Sequence, residues 1–228
     1  MFEPKMFIHI PKCAGTTIRL SEVLRGKVKD ATPETHKSAE YTEQLHKTMR
    51  MNGEHHGNEH ARWRDLSWQY QSLDCFAVAR NPWDRVVSRY LFARKTKFVE
   101  KKSDAQDNNC DTFEEFLDER HRWGNAEFYW HRAVKGWYPS FDHVCDEQGN
   151  LRCDMLRFEE LDKDLCLYFK VPKMSRARNV TRMHEGTYRD FYNSVTIQIV
   201  ADWYKKDIDM WGYDFDTGAQ KNFWSESL

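Results

Sequence analysis

Lys12, Gly15, Thr16 and Thr17 follow directly on the apolar run Met6-Phe7-Ile8-His9-Ile10. A lysine, a glycine and two hydroxyls at the point where a strand gives way to a helix are the ingredients of a site for a phosphate-like anion. The lysine supplies a full charge and the glycine lets the backbone come close. Freed N–H groups at a helix start point outward, and the helix dipole favours negative charge there. The threonine hydroxyls could cap the helix or bond anionic oxygens. In the nucleoside-triphosphate loop, G-x-x-x-x-G-K-[ST], the lysine follows the second glycine, whereas Lys12 precedes Gly15, which disfavours an ordinary ATPase or GTPase.

A second constellation repeats the design. The apolar run ending at Ala79 is followed by Arg80, then by Asn81, Pro82 and Asp84 in the cap, first and first-turn positions of a helix. On that helix Asn81, Arg85 and Ser88 share one face by the i, i+4, i+7 rule, with Trp83, Val86, Val87, Tyr90 and Leu91 as apolar neighbours. A polar stripe beside an arginine at a strand tip predicts a second phosphate site.

These groups need a scaffold that brings two strand ends together. The pattern predicts strands at 6–10 and 74–79, each feeding a helix: one from Thr16 to about Arg25, the other from Pro82 to about Lys97. Residues 33–70 read as a polar, helix-prone excursion, and helices are expected near 112–122, 126–134 and 159–169. Cys145 and Cys153 flank the turn-forming Asp146-Glu147-Gln148-Gly149-Asn150, which predicts a hairpin over 141–157. A final long helix carries Ile197, Val200, Tyr204, Ile208 and Trp211 at offsets of three and four. The expected fold is α/β: a single domain over 1–228 with a central parallel sheet flanked by helices.

The two motifs together resemble the carbohydrate-type sulfotransferases that use 3′-phosphoadenylyl sulfate (PAPS). In that family a loop reading H-I-P-K-x-x-G-T-T binds the 5′-phosphosulfate, and R-N-P-x-x-R-x-x-S-x-Y binds the 3′-phosphate. This chain has His9-Ile10-Pro11-Lys12-Cys13-Ala14-Gly15-Thr16-Thr17 and Arg80-Asn81-Pro82-Trp83-Asp84-Arg85-Val86-Val87-Ser88-Arg89-Tyr90. Arg157-Phe158-Glu159-Glu160-Leu161, Asn179-Val180-Thr181 and the closing Tyr204, Asp207 and Trp211-Gly212-Tyr213 match later landmarks, while 27–55 and 95–140 match only loosely.

The resemblance implies a P-loop-like nucleotide-binding fold and transfer of a sulfuryl group from PAPS to a hydroxyl, leaving adenosine 3′,5′-bisphosphate. The implied donor contacts are Lys12, Cys13, Ala14, Gly15, Thr16 and Thr17 at the 5′ end and Arg80 and Ser88 at the 3′ end, with Arg178 and Thr181 closing over the nucleotide. Lys12 faces the departing phosphate. Among ten histidines His60, in Glu59-His60-Ala61-Arg62, is the implied base, with His55 and His56 as rivals. The implied acceptor is a carbohydrate; a non-carbohydrate alcohol is the alternative. A phosphoryl transferase or a non-catalytic nucleotide-binding module are the rival classes. The aromatic segment Trp123, Phe128, Tyr129, Trp130, Trp137 and Tyr138 could stack on sugar rings or fill the core. The family commonly has a glutamine near His131, a departure that puts an inherited acceptor contact in doubt.

Lys and Arg number 35 against 36 Asp and Glu, a net charge of -1, so no global basic field argues for nucleic acid. No apolar run reaches the roughly 18–20 residues of a membrane helix, and the first strand begins close to Met1. A cytoplasmic enzyme without leader or anchor is therefore expected, although a trimmed form of an anchored lumenal enzyme would read the same. The six cysteines form no C-x-x-C pair, and reduced thiols, including Cys145 and Cys153, are expected in that setting. Cys13 either has a thiol activated by the helix end or is a small residue that fits the turn, and the second reading is preferred. His56, Glu59 and His60 lack the H-E-x-x-H order and Gly57 weakens a helix there, so no metal is expected. Oligomeric state is not legible.

Overall fold

The computed structural model describes residues 3–52, 58–100, 109–124, 132–174 and 186–225. Four strands, β1 (Lys5–Phe7), β2 (Val28–Asp30), β3 (Cys75–Ala79) and β4 (Asp154–Arg157), form one parallel sheet in the order β2-β1-β3-β4. Parallel strands covered on both faces read as continuous apolar runs. Accordingly, all five residues of β3 are buried, as are Met6, Phe7 and Ile8. Phe7 stacks on Phe76, and Phe76 meets Phe169 edge-on from helix α8 (Leu161–Phe169). The outer edge of β4 is covered by the chain's own return, where Phe223 N donates to the Met155 carbonyl at 3.1 Å.

The strand order matters for function. From β1 the chain crosses to β2 on one side of the sheet and to β3 on the other, so the loops leaving β1 and β3 diverge at their carboxyl ends. That switch point is where open α/β sheets form their crevice.

The first helix, α1 (Gly15–Arg19), is five residues long and does not continue to Arg25. A single 3₁₀ turn at Glu22–Leu24 follows, and Gly26 at φ 75° reverses the chain into β2, a short edge strand not anticipated from the sequence. Between β2 and β3, helix α2 (Ala39–Asn52) and the one-turn α3 (Trp68–Gln71) lie in the polar excursion. Helix α4 (Pro82–Arg94) starts as expected on Asn81, whose Oδ1 accepts from Trp83 N and Asp84 N, and it ends in a π turn over Lys95–Val99.

Helix α5 (Phe113–Trp123) opens with a capping box from Thr112 and Glu115. The expected 126–134 helix lies partly outside the described residues, and the observed α6 is Arg132–Trp137. In place of a hairpin from 141, helix α7 (Ser140–Val144) leads into a tight turn closed by an antiparallel bridge between Cys145 and Leu151. The last amphipathic stripe is real but broken into α9 (Ser194–Trp203) and α10 (Lys205–Trp211). Tyr204 leaves helical geometry at the break, and its hydroxyl donates to the Trp137 carbonyl at 3.0 Å, a bond 67 residues away in sequence. All six cysteines are free thiols. Among the described residues no helix is long and apolar enough to cross a membrane.

Candidate active site

The loop after β1 carries two non-glycine residues in the left-handed region, Lys12 at φ 68° and Ala14 at φ 61°. Each costs about 1–2 kcal/mol in an L-residue, and such strain persists only where surrounding contacts over-determine it. Ile8 N holds the Phe76 carbonyl at 2.9 Å, and Cys13 N reaches back to Ile10 O at 3.3 Å. At Gly15 a Cβ would collide with the His9 ring, so only glycine fits. The cap position falls on Ala14, which has no side-chain cap, so neither threonine caps α1. A helix this short has a weak dipole, and the positive field of the loop rests on Lys12 and the arginines behind it.

Arg80 joins the two motifs. Its Nη1 donates to the Lys12 carbonyl at 2.8 Å, its Nε and Nη2 hold both oxygens of Asp84 at 2.8 and 2.9 Å, and its plane lies 4.0 Å above the Phe158 ring. One N–H on each terminal nitrogen is directed to no partner among the described residues.

Asn81 is structural throughout. Besides capping α4, its Nδ2 donates to the Asp214 and Thr217 carbonyls, both at 2.9 Å, and its backbone N donates to Glu159 Oε1 at 2.6 Å. Tyr213 Oη also bonds Glu159. Burial pushes the Glu159 carboxyl above its ordinary range, and the Asn81 amide and Arg80 pull against that. The landmarks at 157–161 and 211–213 thus brace the start of α4.

The expected polar stripe on α4 does not face an open site. Arg85 is 1% exposed and Asn81 3%. Arg85 Nε donates to the Pro11 carbonyl at 3.0 Å, and its other nitrogens reach Gly136 O and Ser140 Oγ. Of the three residues only Ser88 is half-buried. Helical arithmetic placed them on one face correctly, but that face looks inward at the loop.

Lys12 Nζ stands 4.4 Å over the Phe92 ring, so the far end of α4 also touches the loop. The Cys13 side chain is buried. Its thiol lies 3.7 Å from the Pro11 carbonyl, and burial raises its pKa to about 11, with Arg85 and Arg80 opposing. Of the two readings of Cys13, the small residue that fits the turn is the one this geometry supports. Cys13 and Ala14 can therefore serve a donor only through their backbones. Thr16 is half-buried and Thr17 buried.

His60 is brought to the same place. It is 7% exposed, its ring centroid is 4.2 Å from that of His9, and its Nδ1 lies 2.8 Å from the His9 carbonyl. A carbonyl only accepts, so in the neutral ring Nδ1 carries the proton and Nε2 keeps its lone pair. Glu59 Oε1 is 3.8 Å from that Nε2. The His9 ring, wedged between His60 and Gly15, sets the distance from this histidine to the loop.

Lys12, Gly15, Arg80 and His60 are therefore gathered at one end of the sheet. His55, His56, His131, Phe128, Tyr129, Trp130, Arg178, Asn179 and Thr181 lie outside the described residues. Sequence reasoning missed Phe92 and the stacking of Phe158 on Arg80; His9, which its place on the first strand before Pro11 marks as a structural or supporting residue, takes the wedge position. Among the described residues no group of three or more His, Cys, Asp or Glu side chains is arranged to hold a metal.

A model described as the sulfotransferase family matches residues 5–214, a span that contains Lys12, Gly15, His60, Arg80 and Arg85. Neither the curated proteins nor the solved structures contain a match.

Proposed function

Because the chain belongs to the sulfotransferase family, we propose that it transfers a sulfuryl group from PAPS to a hydroxyl, most concretely that of a carbohydrate, and releases adenosine 3′,5′-bisphosphate. The observation that carries this reading is the bond between Arg80 and the Lys12 carbonyl at the switch point of the sheet. It ties a 5′-phosphate loop to a 3′-phosphate arginine across 68 residues of sequence, as one doubly phosphorylated adenosine requires. The carbohydrate class rests on the likeness of both motifs to the carbohydrate-type branch.

In the proposed reaction the acceptor oxygen attacks sulfur in line as the bond from sulfur to the 5′-phosphate oxygen breaks. Negative charge migrates onto the departing phosphate, where Lys12 and the loop amides balance it. The acceptor proton passes to His60 Nε2, the nitrogen left basic by the His9 carbonyl. Thr16 and Thr17 serve the 5′ end, Ser88 the 3′-phosphate, and Arg178 and Thr181 are assigned to closing over the nucleotide. Six free thiols support a reducing compartment, and we extend the proposal to a cytoplasmic enzyme.

The test is incubation with ³⁵S-labelled PAPS and separate panels of saccharides and small alcohols. Label transferred to a saccharide, falling roughly 10²–10⁴-fold in His60→Ala with nucleotide affinity unchanged, is the expected result. Label on the alcohol panel alone would correct the acceptor class. Nucleotide binding without transfer to any acceptor would favour a binding module.

A further inference from the structure

Arg85 belongs by sequence to the motif assigned to the 3′-phosphate, yet its surroundings leave no room for a ligand. The guanidinium is held by the Pro11 carbonyl at 3.0 Å, the Gly136 carbonyl at 3.4 Å and Ser140 Oγ at 3.5 Å, with Asp207 Oδ2 at 4.0 Å. Asp207 is itself fixed from behind, accepting from Ser140 N at 2.8 Å and Phe141 N at 2.9 Å. Both charged side chains are 1% exposed. Taking such a pair out of water is costly before their attraction is counted, so the pair invites a role that a packed apolar pair would not fill.

That role follows from peptide geometry. Among the described residues no peptide bond is cis, and in a planar trans peptide the carbonyl and the next residue's N–H point in opposite directions. A clamp that draws the Pro11 carbonyl inward therefore turns the Lys12 N–H outward. Arg80 holds the very next carbonyl, that of Lys12. Two arginines of one motif thus grip successive carbonyls of the other, and Lys12 sits between them at φ 68°. Rotation of either peptide to relieve that strain would break a charge-assisted hydrogen bond.

Resting on the donor site proposed above, we propose that Arg85 is a positioning residue for sulfuryl transfer: it touches no phosphate and, by holding the Pro11 carbonyl from inside the fold, presents the Lys12 N–H and side chain to the donor's 5′ end. The corresponding link from Asp207 gives the C-terminal helix α10 a part in the same clamp.

Calorimetric titration with adenosine 3′,5′-bisphosphate, adenosine 5′-monophosphate and adenosine 3′-monophosphate separates the possibilities. Arg85→Lys keeps the buried charge beside Asp207 but loses the planar fork. It is expected to weaken binding of both 5′-phosphorylated nucleotides on the order of tenfold while leaving the 3′-monophosphate unchanged. In Arg85→Ala, millimolar guanidinium is expected to restore the 5′ affinity. A loss confined to nucleotides carrying the 3′-phosphate would make Arg85 a direct ligand and overturn the inference. So would a lowered melting temperature with all three affinities intact. Wild-type protein that bound none of the three better than adenosine would remove the donor site itself, a failure distinct from either.

Discussion

Two tight turns in this molecule solve the same steric problem in opposite ways. The turn at 146–150 draws most of its support locally, although Arg64 Nη2 also donates to the Asp146 carbonyl at 3.2 Å. Gly149 takes the positive φ, 86°, and Asp146 satisfies the turn from within, accepting from Gln148 N, Asn150 N and Nδ2, and Arg152 Nε. The loop at 10–15 places a lysine and an alanine in the left-handed region and borrows its support from Arg80 and Arg85, 68 and 74 residues further on. A turn that only reverses the chain uses residues that favour the conformation. A turn that must present a charged side chain and outward amides keeps the strain and is held from outside.

The largest consequence concerns the charge that the strained loop presents. Lys12→Ala is expected to slow PAPS turnover by on the order of 10²–10³, as for other preorganised charge stabilisers. Release of adenosine 3′,5′-bisphosphate under single-turnover conditions measures it. Near wild-type turnover would reduce the loop to a chain reversal like its counterpart.

The carboxylates behind the two turns differ in sign. Burial raises the Asp207 pKa from 3.8 to about 6 against the pull of Arg85. A carboxyl raised in the folded state contributes stability that is complete below the ordinary value and lost as pH climbs through about 6, here worth about 3 kcal/mol at most. At Asp146 burial also pushes up, but the bonds from Asn150 and Arg152 prevail and hold the carboxyl at about 2. Its contribution is present above the ordinary value and lost as pH falls toward 2. The melting-temperature gap between wild type and Asp207→Asn should therefore narrow from pH 4 to 7, and the gap to Asp146→Asn should widen from pH 2 to 4. Gaps that moved together would break the contrast.

The smallest effects are steric and should be opposite. Gly149→Ala is expected to cost about 1 kcal/mol for its positive φ, since the new methyl meets only Phe141 at an ordinary 3.5 Å. Ala14→Gly removes the same penalty and should stabilise by up to about 1 kcal/mol, offset in part by chain entropy. Denaturant midpoints of the two variants moving in the same direction would contradict the reading of the loop as strained.

The same division explains what the sequence disclosed. Features settled locally were legible: the apolar runs of β1 and β3, the Asn81-Pro82 start of α4, the turn residues at 146–150 and the stripe on α9 and α10. The gathering of Lys12, Gly15, Arg80 and His60 was legible through motif resemblance. What depended on distant partners was not. The break at Tyr204 answers to the Trp137 carbonyl, and the inward gaze of Arg85 answers to Pro11. Strand β2 has three residues without period and is recruited by β1. The Cys13 thiol takes its character from burial rather than from the helix end beside it.

The central claim is that one doubly phosphorylated adenosine spans both motifs, and calorimetry on wild type and Arg80→Ala tests it most directly. The account predicts that wild type binds adenosine 3′,5′-bisphosphate at least about tenfold more tightly than adenosine 5′-monophosphate, the worth of one charged phosphate contact, and that Arg80→Ala erases the difference. Equal affinity for the two nucleotides in wild type, or a preference that survives loss of Arg80, would contradict it.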